Sequence, residues 1–249
     1  MAARATAAPV AIITGASSGI GRATGELLAQ RGWSIVVADV DAGGLATPAW
    51  PQGEVETFTG DLADPREAQA LISAAKERFG RIDALINSHG VTRAEDSRVA
   101  DTPDALFEQI LSVNLASFFY TCKYALPELS LSDQGAIVNL ASAAALGAPG
   151  GPAYTASKSG IVGLSRVIAR QYAEVPVRCN VVCPGPTDTP MYATTLRKWG
   201  LSEYTPPPGT IQRLASPTEI AEVVAFLASP AAAFVTGATY SADGGQTLY

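Results

Sequence analysis

Seven short apolar runs punctuate this chain, and segments of helical period separate them. The runs are "VAIIT" (10–14), "SIVVAD" (34–39), "EVETFTGD" (54–61), "DALINSHG" (83–90), "GAIVNLAS" (135–142), "VRCNVVCPG" (177–185) and "ATYSADGG" (238–245). Several are apolar at consecutive rather than alternate positions, the pattern of a strand covered on both faces. Helical segments follow at 20–32, 64–80, 104–130, 154–173 and 216–229. The second carries its own punctuation, with Asp64 as N-cap, Pro65 in the first turn and Gly80 at the end. Gly and Pro break up "DAGGLATPAWPQG" (41–53), and 186–214 reads as irregular. Strands alternating with helices of this length predict an α/β fold: a doubly wound parallel sheet of about seven strands, helices on both faces, right-handed crossovers. No linker interrupts the pattern, so a single domain is expected over 9–249, after a frayed arm at 1–8.

Composition narrows the function classes. Only 16% of the 249 residues are charged, which suits a sheet buried on both sides. The net charge of −6 argues against a nucleic-acid or anionic-membrane surface. The start "MAARATAAPV" lacks the apolar core of a signal peptide, and no run is long enough to span a membrane. The three cysteines, Cys122, Cys179 and Cys183, show no CxxC spacing, and His89 is the single histidine. Free thiols in a reducing cytoplasm and no metal site are the expectation.

The turn after the first strand reads "TGASSGIG" (14–21). Gly15, Gly19 and Gly21 allow a sharp turn and close approach to a ligand, with Ser17, Ser18 and Ile20 between them. A helix start there offers free N–H groups and a positive dipole end to a pyrophosphate. Asp39 ends the second strand, where a carboxylate accepts from both hydroxyls of an adenosine ribose and repels a 2′-phosphate. The expected cofactor is therefore NAD(H) rather than NADP(H).

"AYTASKSG" (153–160) holds Tyr154 and Lys158 at i and i+4, on one helix face. A free phenol has a pKa of about 10, and an opposite charge within ~4–6 Å lowers such a value by about 1–3 units. The expectation is that the ammonium, together with an oxidised nicotinamide, brings the phenol close to neutrality as a general acid–base group.

"TGASSGIG", "NSHG", Asn114, "AYTASK" and "CPGPTDTP", in that order, resemble the short-chain dehydrogenase/reductase family of classical type over nearly the whole length. The resemblance implies a Rossmann-like fold and a catalytic set of Asn114, Ser142, Tyr154 and Lys158. Asn114 would hold a proton-relay water, and Ser142 would hold the substrate oxygen. The family spaces its serine thirteen positions before the tyrosine. Here Ser142 is twelve before Tyr154, and Ala141 stands at thirteen. The family pattern further implies cofactor contacts from Asp61 and Leu62, from Asn87 and Gly90, and from Pro184, Gly185, Thr187 and Thr189, with Lys158 also holding the nicotinamide ribose. "NSHG" departs from the usual Asn-Asn-Ala-Gly, leaving His89 either a partly exposed replacement or a polar contact to cofactor or subunit. The stretch 187–213 corresponds to a substrate lid, in which Tyr192 and Trp199 are expected pocket walls. The implied activity is hydride transfer between NAD(H) and a small or medium, largely apolar secondary alcohol or ketone. A sugar alcohol, a 3-oxoacyl thioester, or a non-catalytic NADH-binding regulator are the alternatives. The resemblance also implies a homotetramer formed through 104–130, 154–173 and the last strand, with Tyr249 reaching a neighbour.

Overall fold

The computed structural model describes residues 8–47, 49–51, 53–198 and 200–248. Seven strands form one parallel sheet: β1 Val10–Thr14, β2 Ser34–Asp39, β3 Val55–Thr59, β4 Ala84–Asn87, β5 Gly135–Leu140, β6 Val177–Pro184 and β7 Thr239–Ala242. Their order is β3-β2-β1-β4-β5-β6-β7, and all six pairings are parallel. The helices are α1 Gly19–Gln30, α2 Ala42–Ala46, α3 Pro65–Phe79, α4 Asp104–Leu111, α5 Ser117–Leu129, α6 Pro152–Gln171, α7 Pro190–Lys198 and α8 Pro217–Ala228.

The consecutive apolar residues of each strand feed two separate cores, because neighbouring side chains point to opposite faces. Ile13, Val37, Ile86 and Val138 pack with residues of α1, α2 and α8. Ile12, Val36, Leu85 and Ile137 pack with residues of α3, α5 and α6. At the sheet centre two polar residues sit at paired register positions. Asn87 donates to Asn139 at 2.9 Å, and Asn139 donates to Ser165 at 2.9 Å. Thr121 donates to the remaining Asn87 oxygen at 2.9 Å, so this buried polar strip is satisfied from three elements.

The structure departs from the sequence expectations at four places. A short helix, α2, forms within the Gly-rich 41–53, because the Asp41 side chain accepts from Gly44 N (3.1 Å) and Trp50 Nε1 donates to the Leu45 carbonyl (2.8 Å). The single long helix expected at 104–130 is divided by a π-helical turn at Ser112–Ala116. The helix expected from residue 154 begins two residues earlier, at Pro152. The stretch read as irregular contains α7, whose first turn is held by Tyr192 N donating to Thr189 Oγ1 (3.2 Å). Among the described residues no helix is long and apolar enough to cross a membrane, no metal-binding cluster occurs, and the three cysteines are free and buried.

Asp83 ties the base of the sheet together. Its carboxylate is 4% exposed and accepts from Val10 N (2.8 Å), Arg81 (2.7 and 2.8 Å) and Ser132 (2.6 Å). Burial pushes its pKa up, but the bonds from Arg81, Ser132 and Val10 outweigh burial and hold it below the usual carboxylate value. The folded pKa thus lies below the unfolded one of about 3.9, so the stabilisation is present above that value and is lost as pH falls through the folded pKa. Asp83→Asn is expected to lower the unfolding free energy at neutral pH by about 3 kcal/mol and to flatten the acid limb below about pH 4. Urea unfolding measured across pH checks both.

Candidate active site

In a parallel sheet every strand ends at the same edge, and the sheet order reverses between β1 and β4, which is where a crevice opens. A cavity of ≈ 770 Å³ occupies that edge. Its wall takes Gly15, Ser17, Ser18, Gly19, Ile20 and Gly21 from the turn after β1, and Asp39 from the end of β2. It takes Asp61 and Leu62 from beyond β3, Gly90 from beyond β4 and Ser142 from beyond β5. Tyr154 and Lys158 come from α6, Pro184 from the end of β6, Gly185, Thr187 and Thr189 from beyond it, and Tyr192 from α7.

The nucleotide half is a cradle of backbone. Gly15 has φ +68°, and a Cβ there would lie 2.6 Å from the His89 backbone, so only glycine fits. Ser18 caps α1 by position but makes no side-chain cap bond, so the first-turn amides border the cavity with the positive end of the helix. Asp39 accepts from Ser17 N (3.0 Å) and from Asp41 N (3.1 Å), which fixes its carboxylate at the cavity wall. Asp61 is exposed and accepts from Ala63 N (3.0 Å). This donor and acceptor set fits a dinucleotide: amides for a pyrophosphate, and a carboxylate a strand away for ribose hydroxyls.

Asn87 and Asn114 are expected site residues that the structure sets behind the wall. Asn87 is fully buried in the polar strip with Asn139 and Thr121. Asn114, in the π-helical turn, accepts from Val91 N (2.7 Å) and donates to the Val91 carbonyl (2.9 Å) and to Ser157 (3.3 Å). Gly90 lets these groups converge, for a Cβ there would lie 3.3 Å from Asn114 Oδ1 and 3.4 Å from Lys158 Nζ. Trp199 lies outside the described residues, as does Tyr249.

The chemical half centres on α6. The Lys158 ammonium is 4% exposed, donates to the Leu140 carbonyl (2.9 Å) and lies 5.8 Å from the Tyr154 ring centroid. The Phe118 ring stands 5.2 Å from the same nitrogen. Burial lowers the Lys158 pKa to about 8. Burial likewise pushes the Tyr154 phenol above its ordinary value, against a hydrogen bond with Ser142 that lowers it. Tyrosine and lysine share a face as expected, but desolvation outweighs the Ser142 interaction that lowers the phenol, and the protein alone does not acidify it. Ser142, not Ala141, reaches the phenol, although its interval is one residue short. It sits half-buried just past β5 and accepts from Ala144 N (3.2 Å), while Ala141 has no hydroxyl to offer.

Beyond the phenol the wall turns apolar. Tyr192 meets Tyr204 edge to face with centroids 5.9 Å apart, and Met191, Leu196, Leu201 and Pro207 continue the surface. Burial pushes the Tyr192 phenol up to about 12. Sequence reading missed Val91 and Thr92, which follow "NSHG" and line the same cavity. Their position past a strand end was the available signal.

His89 is held as a structural bridge. Its Nδ1 lies 2.6 Å from Thr14 Oγ1, its Nε2 lies 2.6 Å from Ser117 Oγ, and its ring lies 4.6 Å from that of Phe118. Ser117 donates its own proton to the Val113 carbonyl (2.6 Å), so it accepts from Nε2–H, and Nδ1 accepts from Thr14. Burial, and then the charge of Lys158, lower the imidazole pKa to about 3. Of the two sequence readings, the partly exposed replacement fits: the residue is partly exposed on the cavity wall, with both ring nitrogens occupied within the fold.

The comparisons with known proteins agree with this geometry. A family model described as enoyl-(acyl carrier protein) reductase matches residues 15–247. The 2-(R)-hydroxypropyl-CoM dehydrogenase of Xanthobacter autotrophicus is 36% identical, over 96% of this chain and 98% of that protein. The cyclohexanol dehydrogenase of an Acinetobacter species is also 36% identical, over 96% and 94%. A solved short-chain dehydrogenase/reductase described as a glucose/ribitol dehydrogenase, from Brucella melitensis, superposes with a TM-score of 0.86. It is 39% identical and covers 96% of each chain.

The neutral, capped imidazole gives a test that the sequence makes simple, because it is the only one in the chain. Its ring proton resonances are expected to stay constant from pH 8 to about 5, where a free histidine would titrate near about 6.5. Because the unfolded chain takes up the proton and the folded one does not, stability should fall as pH drops from about 6.5 toward about 3. A single-imidazole NMR titration checks the first point and acid unfolding of His89→Ala the second.

Proposed function

This chain belongs to the short-chain dehydrogenase/reductase family and is an oxidoreductase, and we propose that it moves a hydride between NAD(H) and a small or medium, largely apolar secondary alcohol or ketone. The observation that carries the reading is the Tyr154 phenol on the wall of the cavity that the glycine turn opens, with Ser142 on the same wall and the Lys158 ammonium 5.8 Å from the phenol's ring centroid. A nicotinamide dinucleotide, the family's cofactor, supplies the hydride acceptor or donor when bound.

The protein's own residues do the rest. The first-turn amides of α1 bind the pyrophosphate, and Asp39 accepts from the adenosine ribose, where its charge disfavours a 2′-phosphate. Ser142 donates to the substrate oxygen and holds it beside the phenol. Tyr154 donates its proton to that oxygen in ketone reduction and takes it back in alcohol oxidation. Below about pH 8 Lys158 keeps its charge, and that charge stabilises the phenolate left behind. Asn114 steadies the Val91 backbone at the wall, and its amide neighbours the Ser157 hydroxyl on α6. The segment 187–213, carrying α7, covers the substrate end as a lid. Apolar Met191, Leu196 and Leu201 with the Tyr192–Tyr204 pair favour an uncharged substrate, since these described wall residues are themselves uncharged. We further read the exposed Phe107, Phe119 and Val167, on α4, α5 and α6, as faces of a homotetramer. The three unpaired buried thiols suit a reducing cytoplasm.

Tyr154→Phe is expected to lower kcat about 1,000-fold while NADH affinity stays within about twofold. Stopped-flow turnover and NADH fluorescence measure the two; normal turnover would defeat the assignment. Asp39→Ala is expected to shift the NADP/NAD ratio of kcat/KM upward about 10- to 100-fold, and an unchanged ratio would discredit the ribose contact. A panel of cyclic and open-chain ketones, polyols and 3-oxoacyl thioesters, run with both cofactors, decides the substrate class. Preference for a polyol or a thioester would overturn the apolar-alcohol reading, and inertness toward all of them would favour a regulator.

A further inference from the structure

Helix α6 carries Tyr154 at its third position, yet its N-cap residue is Gly151, which has no side chain to bond the first-turn amides. Proline at the first position needs no partner, but the amides of Ala153 and Tyr154 do. Both are taken by Asp96, which lies 57 residues before Ala153 in the segment after β4. Its Oδ1 accepts from Ala153 N at 2.9 Å, and its Oδ2 accepts from Tyr154 N at 2.9 Å. The carboxylate is fully buried. A buried anion against a helix N-terminus gains from the two charge-assisted bonds and from the helix dipole.

We propose that Asp96 is a positioning residue: it caps α6 from a distant segment and thereby sets where the Tyr154 phenol stands. The inference rests on the proposed proton-donor role of Tyr154. The same segment contributes Val91 and Thr92 to the cavity wall, so one stretch of chain both borders the site and anchors its proton donor. Gly151 is part of the device. Its φ of −69° is open to any residue, but a Cβ there would run into the Asp96 carboxylate and the Asp96 main-chain carbonyl. Backbone freedom does not require this glycine; the approach of Asp96 does. The arrangement also bears on the short interval between Ser142 and Tyr154. The connecting "ALGAPGGP" (145–152) need not itself fix the start of the helix, because a third segment does so.

The test uses Asp96→Ala, Asp96→Asn and Gly151→Ala, read by kcat, NADH affinity and amide exchange. Asp96→Ala is expected to lower kcat roughly 10- to 100-fold with the NADH dissociation constant within about twofold, the split that a displaced phenol produces. In the cofactor-free protein, hydrogen exchange at the Ala153 and Tyr154 amides should quicken about tenfold or more, while β-strand amides stay protected. Asp96→Asn keeps an acceptor and should recover part of kcat. Gly151→Ala, which crowds both the carboxylate and the main-chain carbonyl of Asp96, should lower kcat and expose the same two amides. The proposal is overturned if Asp96→Ala keeps kcat within about twofold, if the two amides stay protected, or if kcat and NADH affinity fall together. Should Asp96→Ala not fold, Asp96→Asn and Gly151→Ala decide by the same readouts. Intact turnover in Tyr154→Phe would sink the proton-donor role alone, since exchange at the amides judges the cap independently.

Discussion

Parallel strands can be joined only by crossovers, and each crossover here returns the chain to the same starting edge of the sheet. Every strand therefore delivers its C-terminal residue to the opposite edge, and β1 and β2 deliver theirs beside the start of α1. That constraint brings Gly15, Asp39, Gly90, Ser142 and Thr189 to one cavity although they are scattered over most of the sequence. The two apolar cores hold the sheet, and the sheet holds the edge. Residues that look unrelated in the chain are neighbours because topology allows them no other address.

Burial sets the electrostatics at that edge. The site withdraws a lysine, a tyrosine and a histidine from water, and each pKa moves toward its neutral form. For His89 the neutral state is also what its two partners require, since one accepts and the other donates. For Tyr154 the raised value leaves a protonated phenol beside Ser142, a state suited to giving a proton away. A phenolate needs the positive charge of Lys158 and of an oxidised cofactor close by before it becomes accessible. The same desolvation that opposes ionisation strengthens each of those attractions.

The inner strands were legible because they are apolar on both faces, a demand that leaves a plain mark on composition. The glycine turn, Asp39 and the Tyr154–Lys158 spacing were legible because local geometry dictates them. What was not legible depends on partners distant in the chain. The π-helical turn at Ser112–Ala116 accompanies the grip of Asn114 on the Val91 backbone. Helix α2 depends on Trp50 reaching Leu45, and the start of α6 depends on Asp96. The burial that raises the Tyr154 pKa is of the same kind: charge spacing can be counted along a sequence, but depth of burial cannot. Asn87 looked like a wall residue because its neighbours are; one position earlier on a strand is enough to face the interior.

That interior position has a consequence of its own. Asn87 and Asn139 meet at matched rungs of β4 and β5, surrounded by hydrocarbon. Were either strand to slide by a single residue while the chain is folding, an amide would turn into the oily layer opposite with nothing to satisfy it. The pair thus ties the native register to a satisfied pair of amides, and the edge of the sheet inherits that alignment.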